Sequence, residues 1–346
     1  MSKPNVLVIG MGGVGTVAAL TLEKNGAVEV SVIIRNQDEE FQKEGFTVDS
    51  VVFGDIKYKP QSIFKSIEEA ASSGKLFDYI VVCTKNLPDS NHPVVKLIQP
   101  VVSDQSTIIL TQNGLDIEVP ILEKFPNNLV ISGIELVGSS KYGNTVTQVS
   151  VDEVHLGIFK KNNIPMDIAK DKLMTYIKAY ERDDNVVVID EDVELNRWYK
   201  LCYNAVFNTT CAILDSDVSR VHIARGNKIF NKILNEIVKI ADSEGYKLEK
   251  DRVDYIFHKS DGLFYHPSMQ IDKEKNQLME IEVIVGNPLR IAEKNGIETP
   301  YLSMVYDLLK VLQFRIKEKL GHFNINESDF RYVRPDDAPE YFLQQY

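Results

Sequence analysis

Cysteine is scarce, with three in 346 residues, and there is a single tryptophan. Cys83, Cys202 and Cys211 are too few and too irregularly spaced for a disulfide framework or a zinc site. They suit a reducing compartment. The six histidines show no ligand spacing, so no metal is expected. No apolar run is long enough to span a bilayer, which argues against a membrane protein. A strand pattern starts within five residues of Met1, so no cleavable signal is expected before the fold, and a cytoplasmic location is. Positive charge is in deficit: 39 Lys and Arg stand against 50 Asp and Glu, a net charge of -11. That balance argues against nucleic acid or anionic lipid as the main partner. Repeats and low-complexity segments are absent. What remains is an ordinary globular composition, 44% hydrophobic and 26% charged, and long enough for two domains.

The first 180 residues alternate strand and helix patterns. Val6-Leu7-Val8-Ile9 is a continuous apolar run, as in a strand buried on both faces. It leads into Gly10-Met11-Gly12-Gly13-Val14-Gly15, then a helix pattern from about Val14 to Lys24, then a second strand from Val28 to Ile34. A strand, Gly-x-Gly-x-x-Gly, helix, strand unit predicts a dinucleotide site. Its glycines permit the tight turn, the approach of a diphosphate and close helix packing. The second strand ends in Ile34-Arg35-Asn36-Gln37, with no acid until Asp38. An acid there would hold a ribose diol, whereas Arg35 suits a 2′-phosphate, so NADPH is expected over NADH. The alternative is an ordinary surface arginine.

Tyr79–Thr84 ends in Lys85, and Thr107–Thr111 ends in Gln112-Asn113-Gly114. Ligands sit beyond the carboxyl ends of parallel strands, which makes Lys85 and Asn113 candidates; a solvated charge and a plain turn are the bland alternatives. Leu129–Leu136, Thr145–Ser150, Val154–Phe159 and Val186–Ile189 read as further strands extending the sheet in antiparallel fashion.

After Ile189 the alternation stops, which predicts a helical domain over 190–346 beside a Rossmann-like α/β domain over 1–189. Stretch 190–214 lacks Gly and Pro and reads as one helix, with Lys200, Asn204 and Asn208 every fourth residue on one stripe. A stripe of one cation and two amides suits a wet cleft; a solvated face is the bland reading. Further helices are expected over Lys228–Glu244, Lys250–His258, Lys273–Lys294 and Leu302–Leu320, with a loop over 262–272. Glu280, flanked by apolar residues, needs a partner if buried, and Lys200 is the natural one. The aromatic tail, with Tyr332, Pro335, Pro339, Tyr341 and Phe342, shows no chemistry; a docked extension and a frayed end are both open.

These blocks together resemble the ketopantoate reductase family of NADPH-dependent reductases. The resemblance rests on Gly10-x-Gly12-x-x-Gly15, Lys85, Gln112-Asn113-Gly114, the Lys200/Asn204/Asn208 helix, and Glu280-Ile281-Glu282 through Gly286 to Gly296-Ile297-Glu298-Thr299-Pro300. Ser268 stands twelve residues before Glu280, as the family's substrate-binding serine does. The resemblance implies a Rossmann domain joined to a helical domain, with the active site between them. It implies Lys200 as general acid, Glu280 orienting Lys200 and touching the cofactor, and Asn204, Asn208 and Ser268 holding a small 2-keto acid. It also implies Arg35, Lys85 and Asn113 serving NADPH. The reaction would be reduction of 2-dehydropantoate to pantoate in pantothenate synthesis. Reduction of another 2-keto acid or ketone, or a non-catalytic NADP(H) sensor, are the alternatives, and a homodimer is compatible with all three. One departure stands out: where the family carries a further Asn, this chain has Val218 within Asp215-Ser216-Asp217-Val218.

Overall fold

The computed structural model describes residues 2–35 and 37–326; Asn36 and the expected tail aromatics lie outside the described residues. Among the described residues twelve strands form two sheets. The large one uses β1 (Asn5–Ile9), β2 (Glu29–Ile33), β5 (Ile63–Phe64), β6 (Tyr79–Val82), β7 (Thr107–Leu110), β8 (Val130–Glu135), β11 (Glu153–Ile158) and β12 (Val186–Ile189). The small one uses β3 (Phe46–Ser50), β4 (Gly54–Tyr58), β9 (Ser139–Tyr142) and β10 (Thr145–Gln148). Their orders are β12-β11-β8-β7-β6-β1-β2-β5 and β4-β3-β10-β9.

From β5 to β8 the large sheet is wholly parallel. Apart from Asn5 at the start of β1 its central strands are buried throughout, so their near-continuous Val, Ile and Leu are what both faces require. Order reverses at β1, where chain passes to β2 on one side and β6 on the other. That switch point opens a crevice at the strand carboxyl ends. The antiparallel extension expected from sequence is corrected in part. Only β11 runs antiparallel to its neighbour β8; β8 itself continues the parallel sheet and β12 is parallel to β11. Thr145–Gln148 leaves the large sheet altogether, because the turn at Gly143, with φ of 55°, folds it back on β9.

After β12 every described element is helical. The 190–214 stretch runs as Val193–Tyr203, a wider π-helical turn over Asn204–Asn208, and Thr209–Leu214. It starts three residues later than expected because Asp192 caps it, accepting the Leu195 N–H at 3.2 Å. It ends where Asp215 turns left-handed, at φ 55°. The expected Lys273–Lys294 helix is also corrected. Ser268–Glu274 is helical instead of loop, residues 277–280 are not helical, and a second π turn, Glu282–Gly286, leads into Asn287–Lys294. The break is held by Gln313, whose side-chain amide accepts from Met279 N–H at 2.9 Å and donates to Met279 O at 3.1 Å. One apolar cluster runs from Leu7, Ile9, Val82 and Leu110 through Phe207, Ile284 and Leu302, so the sheet and the helical part share a core. Among the described residues no helix is long and apolar enough to cross a membrane.

Candidate active site

The glycine turn joins β1 to the helix Gly13–Asn25. Gly10 has φ of 104°, and a methyl group there would stand 2.6 Å from Thr84 N, just past the end of β6. A methyl group at Gly15 would stand 2.0 Å from Gly10 O. A larger residue at Gly10 would push the turn from the β6 end, and one at Gly15 would push the helix from the turn. Beside Gly12 nothing lies within 4 Å, and the helix carries no acid in its first turn. Amides and open space at a helix N-terminus fit a dinucleotide diphosphate. Arg35, just past β2, is exposed and makes no hydrogen bond or ion pair among the described residues. Asp38 instead caps the helix Glu39–Glu44, accepting Phe41 N–H at 2.8 Å, and accepts from Asn144 at 2.9 Å.

Glu280 is 4% exposed and gathers the ends of β6 and β7. Its Oε1 accepts Asn86 N–H at 2.9 Å, and its Oε2 accepts Asn113 Nδ2 at 3.2 Å. Lys85 Nζ lies 3.7 Å from that Oε2 and 2.7 Å from Asp272. Burial would lower the Lys85 pKa, but the carboxylates of Glu280 and Asp272 outweigh it and raise it. Sequence reasoning paired Glu280 with Lys200; the ion partner in the structure is Lys85, so that pairing is corrected. The cause is the non-helical 277–280 segment, which hands Glu280 to the strand ends.

Lys200 projects from Val193–Tyr203 to the end of β8 and donates to Glu135 O at 2.6 Å. Its pKa is pushed down to about 8. Burial is the main cause, and Arg197 and Lys259 add to it, while Glu135 and Glu280 oppose. The Glu135 carboxyl beneath it is pushed well above the usual range by burial, then by Asp152. Asn208 Nδ2 donates to Ser268 Oγ at 3.1 Å, so this expected substrate pair is brought together. Asn204, 7% exposed, keeps its amide unbonded among the described residues, ready for a ligand. Val218 is buried and gives its N–H to Tyr265 O at 3.2 Å, offering no side-chain polar group.

Three residues were missed from sequence. Arg197, 5% exposed, donates to Ser132 Oγ, Gln112 O, Gly114 O and Leu110 O at 2.9 to 3.2 Å, pinning the Lys200 helix to the sheet. Asp272 binds Lys85. Lys259 lies over the Tyr203 ring at 4.9 Å and acts on Lys200 by charge. An arginine inside an apolar helix was the available signal for the first. Asp272 sits in a segment read as loop that is helical, and Lys259 follows a helix whose bounds were as expected but carried no local signal for its charge on Lys200.

The chain matches the family model for the ketopantoate reductase PanE/ApbA over residues 6–161 and that for its C-terminal part over 192–313. An uncharacterized protein of Saccharomyces cerevisiae is 37% identical over 349 residues, spanning 93% of this chain and 97% of that one. A 2-dehydropantoate 2-reductase of Nostoc is 25% identical, spanning 91% and 97%. The crystal structure of 2-dehydropantoate 2-reductase from Methylococcus capsulatus superposes with a TM-score of 0.75 at 28% identity, covering 90% and 97% of the two chains. D-mandelate dehydrogenase, solved with NADH and anilino(oxo)acetate, shares the fold at a TM-score of 0.76 and 21% identity, covering 90% and 99%.

Proposed function

The chain belongs to the ketopantoate reductase family, and on that premise we propose that it reduces a 2-keto acid with a nicotinamide dinucleotide, 2-dehydropantoate to pantoate being the first candidate reaction. One observation carries the reading: the Lys200 ammonium, depressed to about 8, stands at the cleft with its hydrogen bond given to a neutral carbonyl. When bound, the cofactor supplies the hydride for the keto carbon. Charge then develops on the keto oxygen, where Lys200 Nζ donates a hydrogen bond and then its proton. The Glu135 carbonyl orients the ammonium without neutralising it. Asn204, Asn208 and Ser268 hold the substrate. Glu280 positions Lys85, Asn86 and Asn113 at the cofactor side, and Lys200 answers to it only through its charge.

NADPH is the proposed donor. Among the described residues Arg35 is unengaged at the β2 end, and Asp38 is committed to a helix cap rather than to a ribose diol. Reduction of another 2-keto acid is favoured as the second reading by Val218, which places an apolar side chain where the family carries an amide.

The test is steady-state NADPH and NADH oxidation against 2-dehydropantoate and a panel of 2-oxo acids. Turnover with 2-dehydropantoate at the highest kcat/KM supports the first reading, and preference for another acid supports the second. Tight NADPH binding without turnover on any would point to a sensor, and tighter NADH than NADPH binding would sink the cofactor assignment.

A further inference from the structure

The small sheet brings one strand, β9, across the glycine turn. Ser139 and Lys141 are two residues apart on it and so share a face. That face looks onto the turn. A methyl group at Gly13 would stand 2.7 Å from the Ser139 hydroxyl, whose buried oxygen has no hydrogen-bond partner. Lys141 Nζ donates to Met11 O at 3.1 Å and lies 4.3 Å from the centre of the Phe46 ring.

A carbonyl and a ring face are weak company for a partly buried ammonium. Burial lowers its pKa, and Asp38, whose carboxylate is occupied by Phe41 N–H and Asn144, opposes this only in part. The helix Gly13–Asn25 begins beside it with free amides and no acid in its first turn. Cation, orphan hydroxyl and helix N-terminus thus lie together at the glycine turn, where Asp38 supplies only a partial counter-charge. From the other side, Lys275 of the helical part donates to Lys141 O at 2.8 Å and lies 3.7 Å from the centre of the Tyr142 ring, holding β9 down.

We propose that Lys141 is a ligand of the diphosphate of the bound dinucleotide, reached from β9 across the glycine turn, with Lys275 as the brace that keeps the strand there. This rests on the dinucleotide reading above and adds to it a charged ligand from outside the strand-turn-helix unit. The diphosphate is favoured over the 2′-phosphate because Lys141 bonds within the glycine turn itself, at Met11, rather than at the Arg35 end of β2.

The test titrates folded wild type, Lys141→Gln and Lys141→Arg with NADPH, NADH and ADP, following nicotinamide fluorescence or its displacement. The glutamine keeps a donor for Met11 O while removing the charge; the arginine keeps the charge. Lys141→Gln should weaken all three ligands by a similar factor of about tenfold or more, and Lys141→Arg should retain most of the affinity. Unchanged affinities in Lys141→Gln would overturn the proposal, as would a loss confined to NADPH. A wild type that binds neither dinucleotide would overturn the functional reading with it; a wild type that binds both beside an unaffected Lys141→Gln would overturn the diphosphate ligand alone.

Discussion

An ammonium stripped of water gives up its proton more easily, and Lys200 is the residue where that physics meets the reaction. Its pKa near 8 lies close to working pH, where a general acid is both charged and willing to release its proton. The protonated form is the active one in the reductive direction. Activity should therefore be full below about pH 8 and fall by about tenfold per unit above it. The pH profile of kcat/KM for ketone reduction checks this; a profile flat to pH 10 would argue against it. The helix that carries Lys200 was legible in sequence because helix periodicity is a local property, whereas the π turn over Asn204–Asn208 was not. Nor was the partner of Glu280. Lys85 lies 195 positions away, and only the fold of the 277–280 segment decides which cation meets that carboxylate.

Among the elements, the helix Val193–Tyr203 matters most, and Arg197 sets its place. Four acceptors from the β7 and β8 region converge on one guanidinium, which burial lowers to about 10 and leaves charged. Arg197→Met should strand several buried acceptors and cost about 3 kcal/mol or more, read from the shift of the urea midpoint. A loss below about 1 kcal/mol would mean that the helix is seated by apolar packing instead. The glycine unit and the buried strands were legible, since their residue types answer to local backbone demands and two-sided burial. The two π turns and the small sheet were not. A π turn leaves no compositional trace in Asn204–Asn208, and β10 pairs with β3, almost a hundred residues earlier.

For the whole molecule, the shared apolar core decides how the two halves behave. The halves are bonded at Lys85–Asp272, Asn113–Glu280 and Lys275–Lys141 as well as through that core. They should unfold together. Urea unfolding followed by far-UV circular dichroism and by the fluorescence of Trp198, the single tryptophan, should give coincident transitions. Separated transitions would show two independent folding units. The change from alternating to purely helical patterns at 189 was visible in sequence, yet pattern alone carried no information about the joint. That joint is one apolar cluster that holds Leu7, Val82 and Leu110 of the sheet together with Phe207 and Ile284 of the helical part, a long-range packing decision.

Lys200 as proton donor is tested by the kcat of Lys200→Ala beside wild type on the best 2-keto acid, with the Kd for NADPH determined in both. A kcat lower by at least about a hundredfold with NADPH affinity retained is expected; near-normal turnover in that variant would remove Lys200 from the role.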